Sequence, residues 1–341
     1  MTLFAASLKP GPLDIHAHIM PAALVDRIAR GERPGFAIEA DQGKRFVRLG
    51  EGGPRLPILP GMDDMTIRLQ TMEEQGVAAQ LLSPWIALSA YHLGEADAVW
   101  LAGALNESIA AVVADHPDRF IGIGSVPLQF PELAATLLKY AVIELGLLGV
   151  EIATSVRPDV MLDDPSMEPF WRAADELGAL VMIHPTLGGG HKPEFAQYYL
   201  NNLIHNPLET TTAAAHLMFG GVLERFANLK VLLVHGGGFL PYGMGRLRRG
   251  RAVRPETKVA LSGSLDAAYD RFLFDTVTHS VSQLRFLVSE VGADRVFLGS
   301  DYPFDMADPH PVETVRQAGF DAEAEVAILS GNAGALDGSS A

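Results

Sequence analysis

Two histidines, His16 and His18, stand two residues apart in the run LDIHAH. In an extended strand alternate side chains leave the same face, so both imidazoles point one way. Two imidazole nitrogens side by side are half of a divalent-cation site. Three more polar residues end short apolar runs: His184 closes LVMIH, His235 closes VLLVH and Asp301 closes VFLGSD. Each has an ordinary explanation alone, a hydrogen-bonded core histidine for His184 or a tight turn for His235 and Asp301. Jointly, that explanation requires several separate burials of costly polar groups, each with its own partner, at equivalent strand ends. One shared metal accounts for them together. The chain has no cysteine, so imidazole and carboxylate are the available strong ligands, a set that suits Zn²⁺ or Mn²⁺.

Such convergence demands a scaffold of parallel strands. Runs rich in Val, Ile and Leu recur at Leu13–His18, Ala79–Pro84, Phe120–Pro127, Leu147–Ala153, Leu180–Pro185, Val231–His235, Arg271–Thr276 and Val296–Asp301. Between them, helical periodicity predicts Asp64–Gln75, Glu95–His116, Pro131–Leu145, Met167–Leu177, Leu208–Phe226 and Ser280–Val291, with Gly76, Gly146, Gly178 and Gly292 as C-terminal stops. Eight strands alternating with helices, and no GxGxxG turn after the first, predict a single α/β domain built as a (β/α)₈ TIM barrel. In that fold active sites lie at the C-terminal strand ends, where the five polar residues fall. Residues 31–60, with FAIEA and RFVRLG, read as a small antiparallel flap after the first strand, and residues 188–207 as a pocket-capping insertion. The tail DGSSA reads as frayed.

A net charge of −15 excludes a polyanion partner, because phosphate binding needs concentrated Lys and Arg. The one dense basic run is Arg246 to Arg254. No window reads as a membrane span, and the first residues lack a signal-peptide pattern, so a cytoplasmic protein is expected.

The segments DIHAH, IHP, VHGGGFLPYGMGR and LGSDYPF resemble those of the amidohydrolase superfamily, in its branch of non-oxidative decarboxylases typified by 2-amino-3-carboxymuconate 6-semialdehyde decarboxylase. The similarity runs from Leu13 to Asn332. It implies one divalent metal, zinc or manganese, on His16, His18, His184 and Asp301, with His235 beside it as a proton carrier. Dinuclear relatives carry a lysine at the end of strand four; GVEIATS has none, so one metal is expected. The resemblance also places Arg55 on the flap, and Arg246 and Arg254 after the sixth strand, against substrate carboxylates, one or both across a homodimer interface. His279 is expected to face the pocket, and His191, Tyr198 and Tyr199 could line it. The implied reaction is loss of CO₂ from a small aromatic or muconate-like acid; hydrolysis needs the same metal and base and stays open. A degenerate barrel acting only as a scaffold would have no need of five such residues.

Overall fold

The computed structural model describes residues 7–157, 159–186 and 192–336. Its barrel strands are β1 (Leu13–Ile19), β2 (Ala79–Pro84), β3 (Phe120–Gly122, continued by Gly124–Ser125), β4 (Gly149–Ala153), β5 (Leu180–His184), β6 (Lys230–Leu233), β7 (Phe272–Asp275) and β8 (Val296–Phe297). These are the eight expected positions. All pairings between them are parallel, from β1 through β2 to β3 and from β3 through β4, β5, β6 and β7 to β8. The two arcs join on both sides. Ile15 N donates to Leu298 O at 2.8 Å, Asp301 N to His16 O at 2.8 Å and His18 N to Tyr302 O at 2.7 Å, tying β8 to β1. Across the break in β3, Ile123 N reaches Leu82 O and Leu148 N reaches Gly122 O.

Strands in such a barrel are covered on both faces, which is why they read as near-continuous apolar runs. One set of side chains, including Ile15, Leu81, Ile123, Met182 and Leu232, fills the barrel interior; a larger set packs strands against helices. The β1–β2 ladder gains one residue on β1 between Asp14↔Gln80 and Ala17↔Leu82. Such bulges re-aim side chains, and this one lies where the strand passes from the apolar interior at Ile15 to His16.

Helix ends follow local chemistry. Asp64 caps Met65–Gln75 by accepting from Thr66 N and Ile67 N, and Gly76 closes it in the left-handed region at φ 72°. The helix expected over Leu208–Phe226 is instead Asn206–Phe219 followed by a short Val222–Arg225 turn: Pro207 starts it earlier, and Gly220–Gly221, the latter at φ 68°, breaks it. The helix Glu95–Asp115 corrects another expectation, for its 21 residues have the length and hydropathy of a membrane span. It packs on the barrel, with Leu101, Leu105 and Ile109 buried and Asn106 bonded to the Ser125 backbone.

The flap is a three-stranded antiparallel sheet, Ala37–Asp41, Lys44–Arg48 and Arg55–Ile58, whose first turn runs through Gln42 and Gly43, both at positive φ. Of the 188–207 insertion, the described part forms short turns at Pro193–Phe195 and Asn201–His205. His191 and the 337–341 tail lie outside the described residues.

Candidate metal centre

At the barrel mouth all five expected residues meet. One donor atom each from His16, His184, His235 and Asp301 fit within 4.8 Å of one another. His18 Nε2 lies 3.1 Å from His16 Nε2 and 3.2 Å from Asp301 Oδ1. His16 and His18 are fully buried, and His184 and Asp301 nearly so.

The orientation of the rings decides what the cluster can hold. His16 Nδ1 is 2.7 Å from Asp275 Oδ2, His18 Nδ1 is 2.8 Å from Pro84 O, and His184 Nδ1 is 2.7 Å from Pro185 O. Carbonyl and carboxylate oxygens only accept, so each Nδ1 carries its hydrogen and each Nε2 of a neutral ring presents a lone pair. The Nε2 atoms of His16 and His18 therefore face each other with no hydrogen to share. His184 Nε2 and Asp301 Oδ1 are buried without hydrogen-bond partners. Lone pairs packed together in a dry site repel unless a cation sits among them. The donor set of imidazole nitrogen and carboxylate oxygen fits a divalent metal, and each outer Nδ1–H bond fixes a ring's tautomer as metal sites require.

Burial and the neighbouring imidazoles hold the His184 pKa well below its ordinary value, keeping its lone pair available. Burial would raise the Asp301 carboxyl, but the imidazoles gathered around it hold its pKa well below the ordinary value.

His235 and Asp301 do not end their strands as expected. β6 stops at Leu233 and β8 at Phe297; both residues lie beyond, in the left-handed region at φ 55° and 65°. His279 shares this conformation at φ 56°. Three non-glycine residues at positive φ around one site are strain of the kind active sites store.

Two carboxylates in the centre were not singled out in the sequence. Asp275, at the end of β7, accepts from His16 Nδ1 and His235 N through Oδ2 and from Gly236 N and Val277 N through Oδ1. Its position at a strand end, like that of His184, was the available signal. Glu151 on β4 is buried 3.6 Å from His18 Nδ1, and burial raises its pKa to about 8. Within the apolar run GVEIA nothing marked it.

A cavity of about 380 Å³ adjoins the cluster, lined by His235, Asp301, His279, Phe239, Tyr242 and Phe286. His279 therefore does reach the pocket. Tyr199 stands near enough to Asp305 and Asp301 that burial and their charges raise its hydroxyl pKa; Tyr198 is largely exposed. The arginines lie apart from this cavity within one chain. Arg55 pairs with Glu39 at 2.7 Å and covers the Phe46 ring on the flap. Arg254 pairs with Glu256, and Arg246 is exposed on the helix Leu240–Val253.

The chain matches the amidohydrolase family model over residues 13–336. It is 37% identical over 274 residues to 2-amino-3-carboxymuconate-6-semialdehyde decarboxylase of Dictyostelium discoideum, covering 79% of this chain and 75% of that protein. Among solved structures, 5-carboxyvanillate decarboxylase of Sphingomonas paucimobilis superposes with a TM-score of 0.80 at 24% identity, over 96% of this chain and 99% of that one. A dihydroxybenzoic acid decarboxylase from a Polaromonas species, with bound manganese and the inhibitor 2-nitroresorcinol, superposes with a TM-score of 0.75 at 23% identity, over 96% and 97%. A closed (β/α)₈ barrel, a rim cluster fit for a divalent cation and these matches together make the chain a member of the amidohydrolase family, in its branch of non-oxidative decarboxylases.

Proposed function

We propose that this protein is a metal-dependent carboxy-lyase that removes CO₂ from a small aromatic or muconate-like acid. The observation that carries the reading is the set of Nε2 lone pairs from His16, His18 and His184 converging with Asp301 Oδ1. These four are proposed as the ligands. His235 differs from the other rings: its Nδ1 has no acceptor, while its Nε2 lies 3.4 Å from Asp301 Oδ2. A ring without an outer bond to fix its tautomer is suited to carrying a proton rather than holding a metal.

A bound divalent cation supplies positive charge that orients and polarises substrate oxygens. The protein's own groups then do the proton work. His235, aligned by the Asp275 bond to its backbone N–H and by Asp301, delivers a proton from Nε2 to the carbon bearing the carboxylate. With that carbon protonated, the ring or conjugated chain accepts the electron pair when the C–C bond breaks and CO₂ leaves. The walls of Phe239, Phe286 and Tyr242 suit a flat apolar body. Zn²⁺ and Mn²⁺ both match the donor set; the manganese held by the Polaromonas neighbour supports the second.

A homodimer completes the proposal. Arg246 is exposed on the helix that also carries the exposed Tyr242, which lines the cavity beside the cluster with the exposed Leu203 and Phe239, an apolar rim that a second copy would cover. Across that interface Arg246 or Arg254 would meet an anionic substrate; Arg55 would serve only by leaving Glu39.

The test is metal analysis of protein purified without added metal, followed by a screen of hydroxybenzoates and ring-cleavage acids for CO₂ release. About one metal per chain and CO₂ release that stops on chelation are expected. Full activity without metal, or acid products formed without CO₂, would overturn the reading.

A further inference from the structure

Arg68, on the helix Met65–Gln75, is a fully buried arginine with no carboxylate partner of its own among the described residues. Its Nη2 donates to His18 O and to Gly61 O, the latter at 3.1 Å, and its Nη1 donates to Gln80 Oε1 at 3.0 Å. The guanidinium carbon stands 4.8 Å from the centre of the Tyr302 ring, a cation–π contact. The Gln80 amide then donates from Nε2 to Asp14 Oδ2 at 3.0 Å. With an arginine on one side and a carboxylate on the other, that amide has one workable orientation. Asp14, also fully buried, accepts three more bonds, from His16 N at 3.0 Å, Ser300 N at 3.0 Å and Ser300 Oγ at 2.6 Å. Ser300 Oγ in turn accepts from Tyr302 N at 3.1 Å.

Apart from Gly61, every end of this relay falls on a proposed metal ligand or on a residue next to one. His16 is held by its N–H and His18 by its carbonyl, while Asp301 stands between Ser300 and Tyr302, which are both bound. The backbone at these points needs such help. The β1–β2 ladder slips between Asp14 and Ala17, and there His16 N turns to the Asp14 side chain. Asp301 lies beyond β8 in the left-handed region. Side-chain bonds thus stand in for part of the strand pairing that would fix a regular ladder. As a source of stability alone the arrangement is a poor one, because apolar residues of similar size commonly serve as well as buried opposite charges or better.

We infer that Arg68, through His18 O and the Gln80–Asp14 relay, is a positioning residue for the metal ligands His16, His18 and Asp301. The inference rests on the ligand set proposed above. The metal bonds belong to those three side chains and His184, and the arginine holds the backbones of the three at the spacing that one cation needs.

The experiment is Co²⁺ titration of the metal-stripped full-length protein, read by the visible absorption of the bound ion, whose bands follow ligand geometry. Arg68→Met removes the guanidinium bonds, and Gln80→Met cuts the relay while leaving both carbonyl bonds of Arg68 in place. Each should weaken Co²⁺ binding by about 10- to 100-fold, the scale for groups that orient ligands, and shift the bands at full occupancy. Met72→Ala, one turn further along the same helix, loosens buried packing without touching the relay and should leave the bands unmoved. Where Arg68→Met does not fold, Gln80→Met decides alone. Unmoved bands in Gln80→Met, whatever its affinity, or an equal shift in Met72→Ala, would overturn the inference. Unmodified protein that takes up no Co²⁺ would instead sink the ligand reading, and this inference with it.

Discussion

Asp275 Oδ2 lies 2.7 Å from His16 Nδ1 and at the same time accepts the His235 backbone N–H at 2.9 Å. One carboxylate on β7 thus sets the tautomer of a proposed ligand on β1 and the backbone position of the proposed proton carrier beyond β6. Asp275→Asn keeps the size but removes the charge, and its amide can turn a donor toward His16. Metal affinity should fall about 10- to 100-fold, as for other outer partners of ligating histidines. A competition titration with a chromophoric chelator reads this; unchanged affinity would show that Asp275 does not position the site.

The rings should separate by role. His16→Ala combined with His18→Ala should abolish metal binding and activity while the barrel stays folded by circular dichroism. His235→Ala should keep about one metal per chain and lose activity by about 100-fold or more. Loss of metal from His235→Ala would make that residue a ligand.

Mixing two inactive proteins tests the arginine. If Arg246 serves the partner's pocket, His235→Ala and Arg246→Ala subunits exchanged into mixed dimers should regain activity at one intact site in each. No recovery, with exchange confirmed by mass spectrometry, would confine Arg246 to its own subunit or exclude it from any pocket.

Glu209 gives a prediction in pH. Its folded pKa is raised by burial to about 7 from 4.5, so the native state holds its proton more tightly than the unfolded chain. Stability from this group therefore falls as pH rises from about 4.5 to about 7, and the cost is complete above that. Glu209→Gln removes the cost. Its stability relative to the unmodified protein should be greater at pH 8 than at pH 5, by up to about 3 kcal/mol. Urea unfolding at both pH values reads the gap; a gap that stays constant would refute the burial effect.

Much of this was legible before any coordinates, for particular reasons. The strands carrying His16, His18 and His184 are buried on both faces, and unbroken apolar runs announce them. His235 and Asp301 were placed at the right rim but in the wrong conformation, because periodicity cannot see where a strand yields to a positive-φ turn. Asp275 and Glu151 escaped notice since a lone acid at or inside a strand has no spacing partner. The split at Gly220–Gly221 was written in the two glycines and read as continuous helix because the apolar pattern resumes after them. For the arginines, spacing shows neither which acid a guanidinium meets nor which face it lies on: Arg55 pairs with Glu39 and Arg254 with Glu256.

The bonds that tie β8 back to β1 have a consequence for synthesis. The Asp14 side chain accepts from Ser300 across 286 residues of sequence, and His16 and Asp301 meet only at this seam. On the ribosome, His16 on β1 is made well before Asp301, so the cluster exists only once β8 has followed β1. A truncated or stalled chain would hold the HxH pair without its carboxylate, binding metal weakly. On the proposed ligand set, a metal would be held at full strength only after both ends of the barrel have been made.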